Sequence, residues 1–218
     1  MKTFSSVDLQ NMEQRLRSTL MNSISGFKSL QMVGTINQRA ISNIALFNSI
    51  FHVGANPPFI GMVVRPDGDQ HETLKNILEV GVYTLNNVTE EYYIAAHQTS
   101  ARYLTGESEF TECGFTEEYI DGFKAPFVKE SNIKLGLELA EIIPFKKNGT
   151  TIVIGEVKHL MVDERFIYAD GYIDLAEANS ITVAGLDAYH QTQLLGRLAY
   201  AKRGKQPEFL NVNKVTIS

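Results

Sequence analysis

A succession of strands joined by tight turns constrains the fold of this chain more than any other feature of its sequence. Over 133–140 apolar residues alternate with polar or small ones, and Asn148-Gly149 then reverses the chain into a second apolar stretch over 151–161. An Asn-Gly pair between two such stretches is a strong signal for a β-hairpin. The sequence therefore predicts a long antiparallel hairpin in the second half of the chain.

Other stretches also have the composition of strands, and they do not alternate regularly with helices. Half-buried strands are predicted over 29–36 and 47–53, a strand buried on both faces over 59–64, and another strand over 82–87, with a second reversal at Asp170-Gly171. Meanders of this kind favour an antiparallel barrel over a doubly wound parallel sheet. The predicted fold is mainly β, with a few flanking helices.

Helices are predicted at a few places around this barrel. Apolar residues recur at three- and four-residue steps over 7–20, which predicts one amphipathic helix packed against the barrel. Thr73 is the predicted N-cap of a second helix that stops at Gly81. Shorter helices are predicted over 90–98 and near 191–198.

Length and composition limit the domain organisation and the classes of function. A chain of 218 residues with 44% hydrophobic content fits one medium-sized domain with extensions. We assign 1–25 to an N-terminal helical extension, 26–204 to the main domain and 205–218 to a C-terminal tail. The formal net charge of −5 argues against a nucleic-acid surface, so any anion site must be local.

Cysteine usage and hydropathy indicate the compartment. The single cysteine, Cys113, excludes an internal disulfide, and no Cys/His spacing suggests a metal site. The first residues lack the apolar core of an export signal, and no run of eighteen apolar residues is present. The expectation is a soluble, cytoplasmic protein with no membrane segment.

The first third of the chain has a layout suited to a flat, phosphorylated ligand. A polar strand of small residues over 42–49 precedes a turn over 56–58, and the next apolar strand ends at Arg65. Thr73 then opens a helix, with His71 two residues before it. Unpaired N–H groups at a helix start, beside an arginine, are favourable partners for a phosphate.

Together these motifs resemble the flavin reductase-like family of FMN-binding split barrels, of the flavoredoxin type. The matching motifs are Asn43-Ile44-Ala45, Asn56-Pro57-Pro58, Arg65-Pro66, Thr99-Ser100-Ala101, Gly106-Glu107-Ser108-Glu109-Phe110 and Ile154-Gly155-Glu156-Val157. The resemblance extends from about Leu30 to Lys202. It implies an antiparallel split β-barrel that binds FMN.

The resemblance also implies roles for individual residues. The implied phosphate contacts are Arg65, His71 and Thr73, the implied contacts along the isoalloxazine are Asn43, Ile44, Ala45 and Ser49, and the implied cover of the ring is Ser100 and Ala101. The family usually has Lys-Asp-Thr where His71-Glu72-Thr73 stands here. It commonly has Pro and Ser at the positions of Leu46 and Asn48, so the strand entry differs.

The same resemblance implies an activity. Many members carry two alternating histidines after the Ile-Gly-Glu-Val strand, and here His159 is present while Met161 occupies the second place. His159 is the candidate catalytic residue, orienting NADH or NADPH for hydride transfer to the flavin. The implied assembly is a homodimer, with electrons passed on to free flavin, oxygen or a partner protein.

Three alternatives stay open at the level of sequence. The first is a non-enzymatic flavoprotein, either an electron carrier or a flavin-binding module without a nicotinamide site. The second is a barrel of the same type that binds pyridoxal phosphate or haem. The third is a purely structural interaction protein, for which the polar strand over 42–49 has no obvious explanation.

Overall fold

A computed structural model describes residues 1–66, 72–104 and 106–214, and its centre is a seven-stranded antiparallel sheet. The order of strands in this sheet is β3-β2-β6-β9-β10-β5-β4. The strands of the described chain are β1 Lys28–Ser29, β2 Gln31–Ile36, β3 Ser42–Phe47, β4 Ile50–Ala55, β5 Pro58–Val64, β6 Val82–Asn87, β7 Glu117–Glu118, β8 Phe127–Val128, β9 Ile133–Phe145, β10 Thr150–Val162, β11 Thr182–Ala184 and β12 Ala188–His190.

The two edge strands of the sheet show why it curls into a barrel. β3 and β4 stand at opposite ends of the strand order, yet only Asn48 and Ser49 connect them. Since each residue spans at most about 3.6 Å, the two edges must lie close together. Within the described chain they are not paired with each other, so the barrel is split there, as the resemblance implied.

The predicted hairpin is confirmed as β9 and β10. Thr150 pairs with Phe145 next to the turn, and Gly149 has a φ of +75°, a backbone conformation that glycine adopts without strain. The strand predicted over 47–53 is wrong in its bounds, because β3 ends at Phe47 and β4 begins at Ile50. The connector, Asn48 and Ser49, could not be recognised from sequence because the alternation of apolar and polar residues continues through it.

The N-terminal segment forms two helices, α1 Ser6–Asn11 and α2 Gln14–Ser23, so the single helix predicted there is wrong. The Glu13 carboxylate accepts hydrogen bonds from the N–H groups of Arg15 and Leu16, which starts α2 anew. Neither helix contains a fully buried residue, and α2 meets the barrel at its C-terminal end, where Asn22 accepts a hydrogen bond from Arg65.

The remaining helices are short. Helix α3 spans Glu72–Val80. Thr73 therefore lies in its first turn, and the prediction that Thr73 is the N-cap is wrong. Gly81 ends α3 as predicted, with a φ of +80° and its N–H donating to the Ile77 carbonyl at 2.9 Å. Helices α4 Tyr93–Gln98 and α5 Glu109–Glu112 follow. The residues over 191–197 are coil, so the helix predicted near 191–198 is wrong.

Alternating residues of the sheet supply two separate cores. One lies inside the barrel and contains Val33, Met62, Val64, Ile77, Tyr83, Leu85, Leu137 and Val153. The other lies on the opposite face and contains Leu30, Met32, Ile44, Val88, Ala96, Phe110, Phe115, Val128, Ile181 and Val183. Both faces are therefore covered, with α4 and α5 over the second. No helix in the described part of the chain has the length and hydropathy to cross a bilayer.

Candidate functional site

A cavity of about 940 Å³ opens where β3, α3 and the loop after α4 meet. Its volume lies at the upper end of the range for small-molecule sites, about 300–1,000 Å³. Most of the residues predicted to bind a cofactor line it, namely Asn43, Ala45, Ser49, Arg65, Thr73, Ser100 and Ala101. Residues as far apart in sequence as Asn43 and Ala101 thus line one cavity.

Two of the predicted residues that the structure describes do not line this cavity. Ile44 is fully buried, and its side chain packs in the core on the opposite face of β3. His159 on β10 packs edge-on against Phe123, with 5.2 Å between ring centroids. His71 lies outside the described residues.

Strand β3 forms the floor of the cavity. Asn43, Ala45 and Phe47 line it at every second position and Leu46 lines it as well, while Ile44 packs in the core on the opposite face. The small side chain of Ala45 leaves room for a flat ring to approach the strand. This is the arrangement that the polar, small-residue strand predicted.

A buried polar cluster, here called the polar wall, joins β2 and β3 to α3 and α5. It consists of Thr35, Asn43, Thr73, Asn76 and Glu109, all at most 8% exposed. The Asn43 Oδ1 accepts hydrogen bonds from the Thr73 hydroxyl at 3.1 Å and the Thr35 hydroxyl at 3.3 Å. The Asn43 Nδ2 donates to Glu109 Oε2 at 2.8 Å. Asn43 therefore orients the neighbouring groups of the wall.

Glu109 is the acidic member of the polar wall, and it also lines the cavity. Its Oε2 accepts a further hydrogen bond from the Ile44 N–H at 3.4 Å. Burial raises the pKa of the Glu109 carboxyl above its ordinary value, and the nearby Glu72 acts in the same direction. Hydrogen bonds from backbone N–H groups and from Asn43 oppose that shift in pKa only in part.

Exposed cations line the same cavity on its outer side. Arg65 follows β5 and Lys75 lies on α3, and we call these two side chains the cationic rim. Arg65 donates one hydrogen bond to Asn22 Oδ1 at 3.2 Å. The rim supplies positive charge, and the backbone N–H groups in the first turn of α3, at Glu72 and Thr73, are donors suited to an anion.

The end of α4 and the loop after it form the opposite side of the cavity. The Thr99 hydroxyl donates to the Ala96 carbonyl at 2.7 Å, and the N–H groups of Ser100 and Ala101 donate back into the last turn of α4. His97 also lines the cavity, and its Nδ1 lies 2.5 Å from the Tyr189 hydroxyl. A histidine is therefore present at the site, although it is not the one predicted.

Comparison with known proteins assigns the family. The model of the flavin reductase-like domain matches residues 27–174, which is more than half of the chain. This chain belongs to the flavin reductase-like family. The family assignment confirms the resemblance noted in the sequence and the split-barrel fold that it implied.

Solved structures from the same fold family agree with this assignment. A provisionally assigned flavin reductase with a split barrel domain from Shewanella frigidimarina is 42% identical, with a TM-score of 0.89, and the match covers 92% of this chain and 100% of that one. Flavoredoxin of Desulfovibrio vulgaris is 23% identical, with a TM-score of 0.67 and coverage of 82% and 91%. An FMN-binding protein from Thermus thermophilus is 14% identical, with a TM-score of 0.68 and coverage of 88% and 96%. The last two share the fold.

Sequence reasoning missed several residues that line the cavity, above all Glu109, Lys75 and His97. Glu109 belongs to one of the motifs, but nothing local marks it as buried beside Asn43, 66 residues away. Lys75 follows Thr73 by two positions, so the helix-start argument could have included it. His97 lies in a predicted short helix without any distinguishing pattern.

Proposed function

We propose that this family member binds FMN in the cavity, with the phosphate held by Arg65, Lys75 and the first turn of α3. The observation that carries this proposal is the cationic rim beside a helix start on a flavin reductase-like barrel. The donor chemistry fits a phosphate, since guanidinium, ammonium and N–H groups all bind phosphate oxygens. His71 stays a predicted further contact.

The floor and the loop fit the flat part of the same ligand. Ala45 and Asn43 on β3 and Ser49 in the connector would lie along the isoalloxazine, and Ser100 and Ala101 would cover it. The backbone of Ile44, whose side chain is buried elsewhere, would contribute only through its peptide groups. These residues bind and orient the ligand.

The proposed reaction is the transfer of a hydride from NADH or NADPH to the flavin, with electrons passed onward. FMN supplies the redox chemistry when bound, and the protein supplies binding, orientation and exclusion of water. Support comes from the family assignment and from a volume within the range of small-molecule sites. The choice of nicotinamide and of electron acceptor is left to experiment.

Anaerobic mixing of the protein with FMN and either nicotinamide tests this proposal. Prompt bleaching of the flavin absorbance is the expected result. Bleaching by dithionite alone would contradict the reductase assignment. The absorption spectrum of the purified protein distinguishes flavin from the haem or pyridoxal phosphate alternatives.

A second candidate function is an FMN electron carrier without a nicotinamide site. It is favoured by the position of His159, which lies against Phe123 and not on the cavity of its own chain. For that candidate, FMN binds with the same dependence on the cationic rim, but NADH and NADPH leave the flavin oxidised. The mixing experiment therefore separates the two functions.

The proposed assembly is a homodimer in a reducing cytoplasm. The C-terminal coil carries large apolar side chains in solvent, with Leu195 95% and Tyr200 93% exposed, which supports burial against a second copy. Cys113 is a free thiol, in keeping with a reducing compartment. Analytical ultracentrifugation should give twice the chain mass, and a sedimenting monomer would contradict the dimer.

A further inference from the structure

The Glu109 carboxyl is a buried acid on the wall of the ligand cavity. It is 8% exposed and receives its hydrogen bonds from neutral donors, the Asn43 amide at 2.8 Å and the Ile44 N–H at 3.4 Å. Among the residues that the structure describes, no lysine or arginine forms an ion pair with it. A buried carboxylate without a cation is unfavourable.

Within the described chain, the titratable groups that act on the Glu109 carboxyl or respond to its charge are an acid, a phenol and a thiol. Glu72 approaches from α3, Tyr103 from the loop after α4, and Cys113 from the end of α5. Arg65, Lys75 and Arg102 line the same cavity. Burial and Glu72 both raise the pKa of the Glu109 carboxyl, so this acid loses its proton at a higher pH than an exposed glutamate does.

The anion end of the cavity is joined to Glu109 through one amide group. The Thr73 hydroxyl, in the first turn of α3, donates to Asn43 Oδ1, and the Nδ2 of the same side chain donates to Glu109. A phosphate held at that turn would therefore place negative charge near the acid. Like charges at short range disfavour the ionised form of a carboxyl.

We propose that Glu109 determines specificity in this cavity by taking up a proton when a phosphorylated flavin binds. The proton comes from solvent and goes to a Glu109 carboxyl oxygen, with no change in oxidation state. The neutral acid then lies beside the anionic end, where the carboxylate would repel it. This inference rests on the proposed FMN site.

The consequence is a pH-dependent preference for phosphorylated ligands. Between the pKa values of Glu109 in the empty and the loaded protein, FMN affinity falls as pH rises, by at most about tenfold per pH unit. Riboflavin has the same ring system without the phosphate, so its affinity should not show this dependence on Glu109. The ratio of the two affinities therefore reports on the acid.

Calorimetric titration of the full chain with FMN and with riboflavin measures the proton uptake directly. Titrations in buffers of different ionisation enthalpy, at several pH values between 5 and 8, give the number of protons bound per ligand. Glu109→Gln keeps an acceptor for the Asn43 and Ile44 donors but cannot titrate. Glu112→Gln changes an exposed carboxyl on the same helix and is the matched control.

The expected result is that wild type and Glu112→Gln take up more protons with FMN than Glu109→Gln does, and that riboflavin shows no such difference. The phosphate's own titration cancels in this comparison. Equal proton uptake by wild type and Glu109→Gln, with FMN bound to both, overturns the inference alone. FMN that does not bind to the wild type overturns the proposed function and the inference with it.

Infrared difference spectroscopy of the wild type keeps the test independent of how well Glu109→Gln folds. FMN binding should convert a carboxylate band into a protonated carboxyl band, and riboflavin should not. FMN binding without that conversion at any pH between 5 and 8 contradicts the proposed proton uptake.

Discussion

The polar wall and the cationic rim face one cavity but are built in opposite ways. The wall residues are buried and hydrogen-bonded to one another across four elements, as shown by the links from Asn43 to Thr35, Thr73 and Glu109. Arg65 and Lys75 of the rim are exposed. Within the part of the chain that the structure describes, Arg65 donates one side-chain hydrogen bond, to Asn22. The wall is therefore preorganised by folding, whereas the rim would be ordered mainly on binding the proposed phosphate.

This contrast separates stability from affinity. A buried polar group that loses its partner costs free energy in the folded protein itself. An exposed cation contributes little to stability but gains charge-assisted bonds when an anion arrives. Substitutions in the wall should lower both stability and FMN affinity, and substitutions in the rim should lower affinity alone.

The largest expected effect comes from Asn43→Ala in the polar wall. It removes an acceptor from Thr35 and Thr73 and a donor from Glu109. We expect the free energy of unfolding in urea to fall by about 3 kcal/mol, because several buried groups lose partners together. FMN affinity should fall as well.

Asn22→Ala is the control for this loss of stability, because Asn22 is an only partly buried asparagine of α2 whose Oδ1 accepts a hydrogen bond from Arg65. Its free energy of unfolding should stay within about 0.5 kcal/mol of the wild type. If both alanine variants lose the same stability, the polar wall is no more preorganised than the surface.

Arg65→Ala in the cationic rim should act on affinity. We expect fluorescence titration to show FMN binding weakened by about 2 kcal/mol, because charge-assisted bonds to the phosphate are lost. The free energy of unfolding should not change. Lys124→Ala, at an exposed site away from the cavity lining, should leave both quantities unchanged. Unchanged FMN affinity in Arg65→Ala would remove Arg65 from the phosphate site.

Glu109→Gln should change stability in a pH-dependent way, without any ligand. The pKa of Glu109 is raised in the folded protein, mainly by burial, so the folded wild type binds more protons than the unfolded chain and loses stability as pH rises through that window. The glutamine variant has no such loss. Its advantage in free energy of unfolding should therefore increase as pH rises above the ordinary pKa of a glutamate, as measured by urea unfolding at several pH values. An advantage that is constant with pH would show that the carboxyl does not titrate in this range.

The rim could be predicted from sequence further than the wall because its members lie close together along the chain. Arg65 and Lys75 fall within eleven residues on either side of the start of α3, and helix-start chemistry is a local signal, although only Arg65 of the two was predicted. Glu109 joins Asn43 only through the tertiary fold, across 66 residues. No periodicity in either segment indicates that contact, so the wall needed the structure.

The same distinction holds for the fold. The β9–β10 hairpin was predicted because its alternation and its Asn-Gly turn are adjacent in sequence. The N-terminal helix was predicted as one because its apolar spacing continues through Met12, whereas the Glu13 side chain begins a new helix. The helix predicted near 191–198 is absent, and that segment is coil with Leu195 almost fully exposed.

The smallest expected effect tests the histidine that the sequence singled out. His159 lies against Phe123 and Gly136, away from both the wall and the rim. We expect His159→Gln to change FMN affinity by less than about 0.5 kcal/mol, since surface and half-buried substitutions remote from a ligand are usually near neutral. His97→Gln is the matched variant on the cavity itself, where Nδ1 meets the Tyr189 hydroxyl, and it should weaken FMN binding more.

The rate of flavin reduction by NADH in the two variants decides what the histidines do. If reduction slows only in His97→Gln, the cavity of one chain contains the relevant imidazole. If it slows only in His159→Gln while FMN affinity is intact, the sequence prediction for His159 holds. The nicotinamide would then be oriented by a surface outside the cavity that the wall and the rim share, and a second copy of the chain becomes the natural place to look for it.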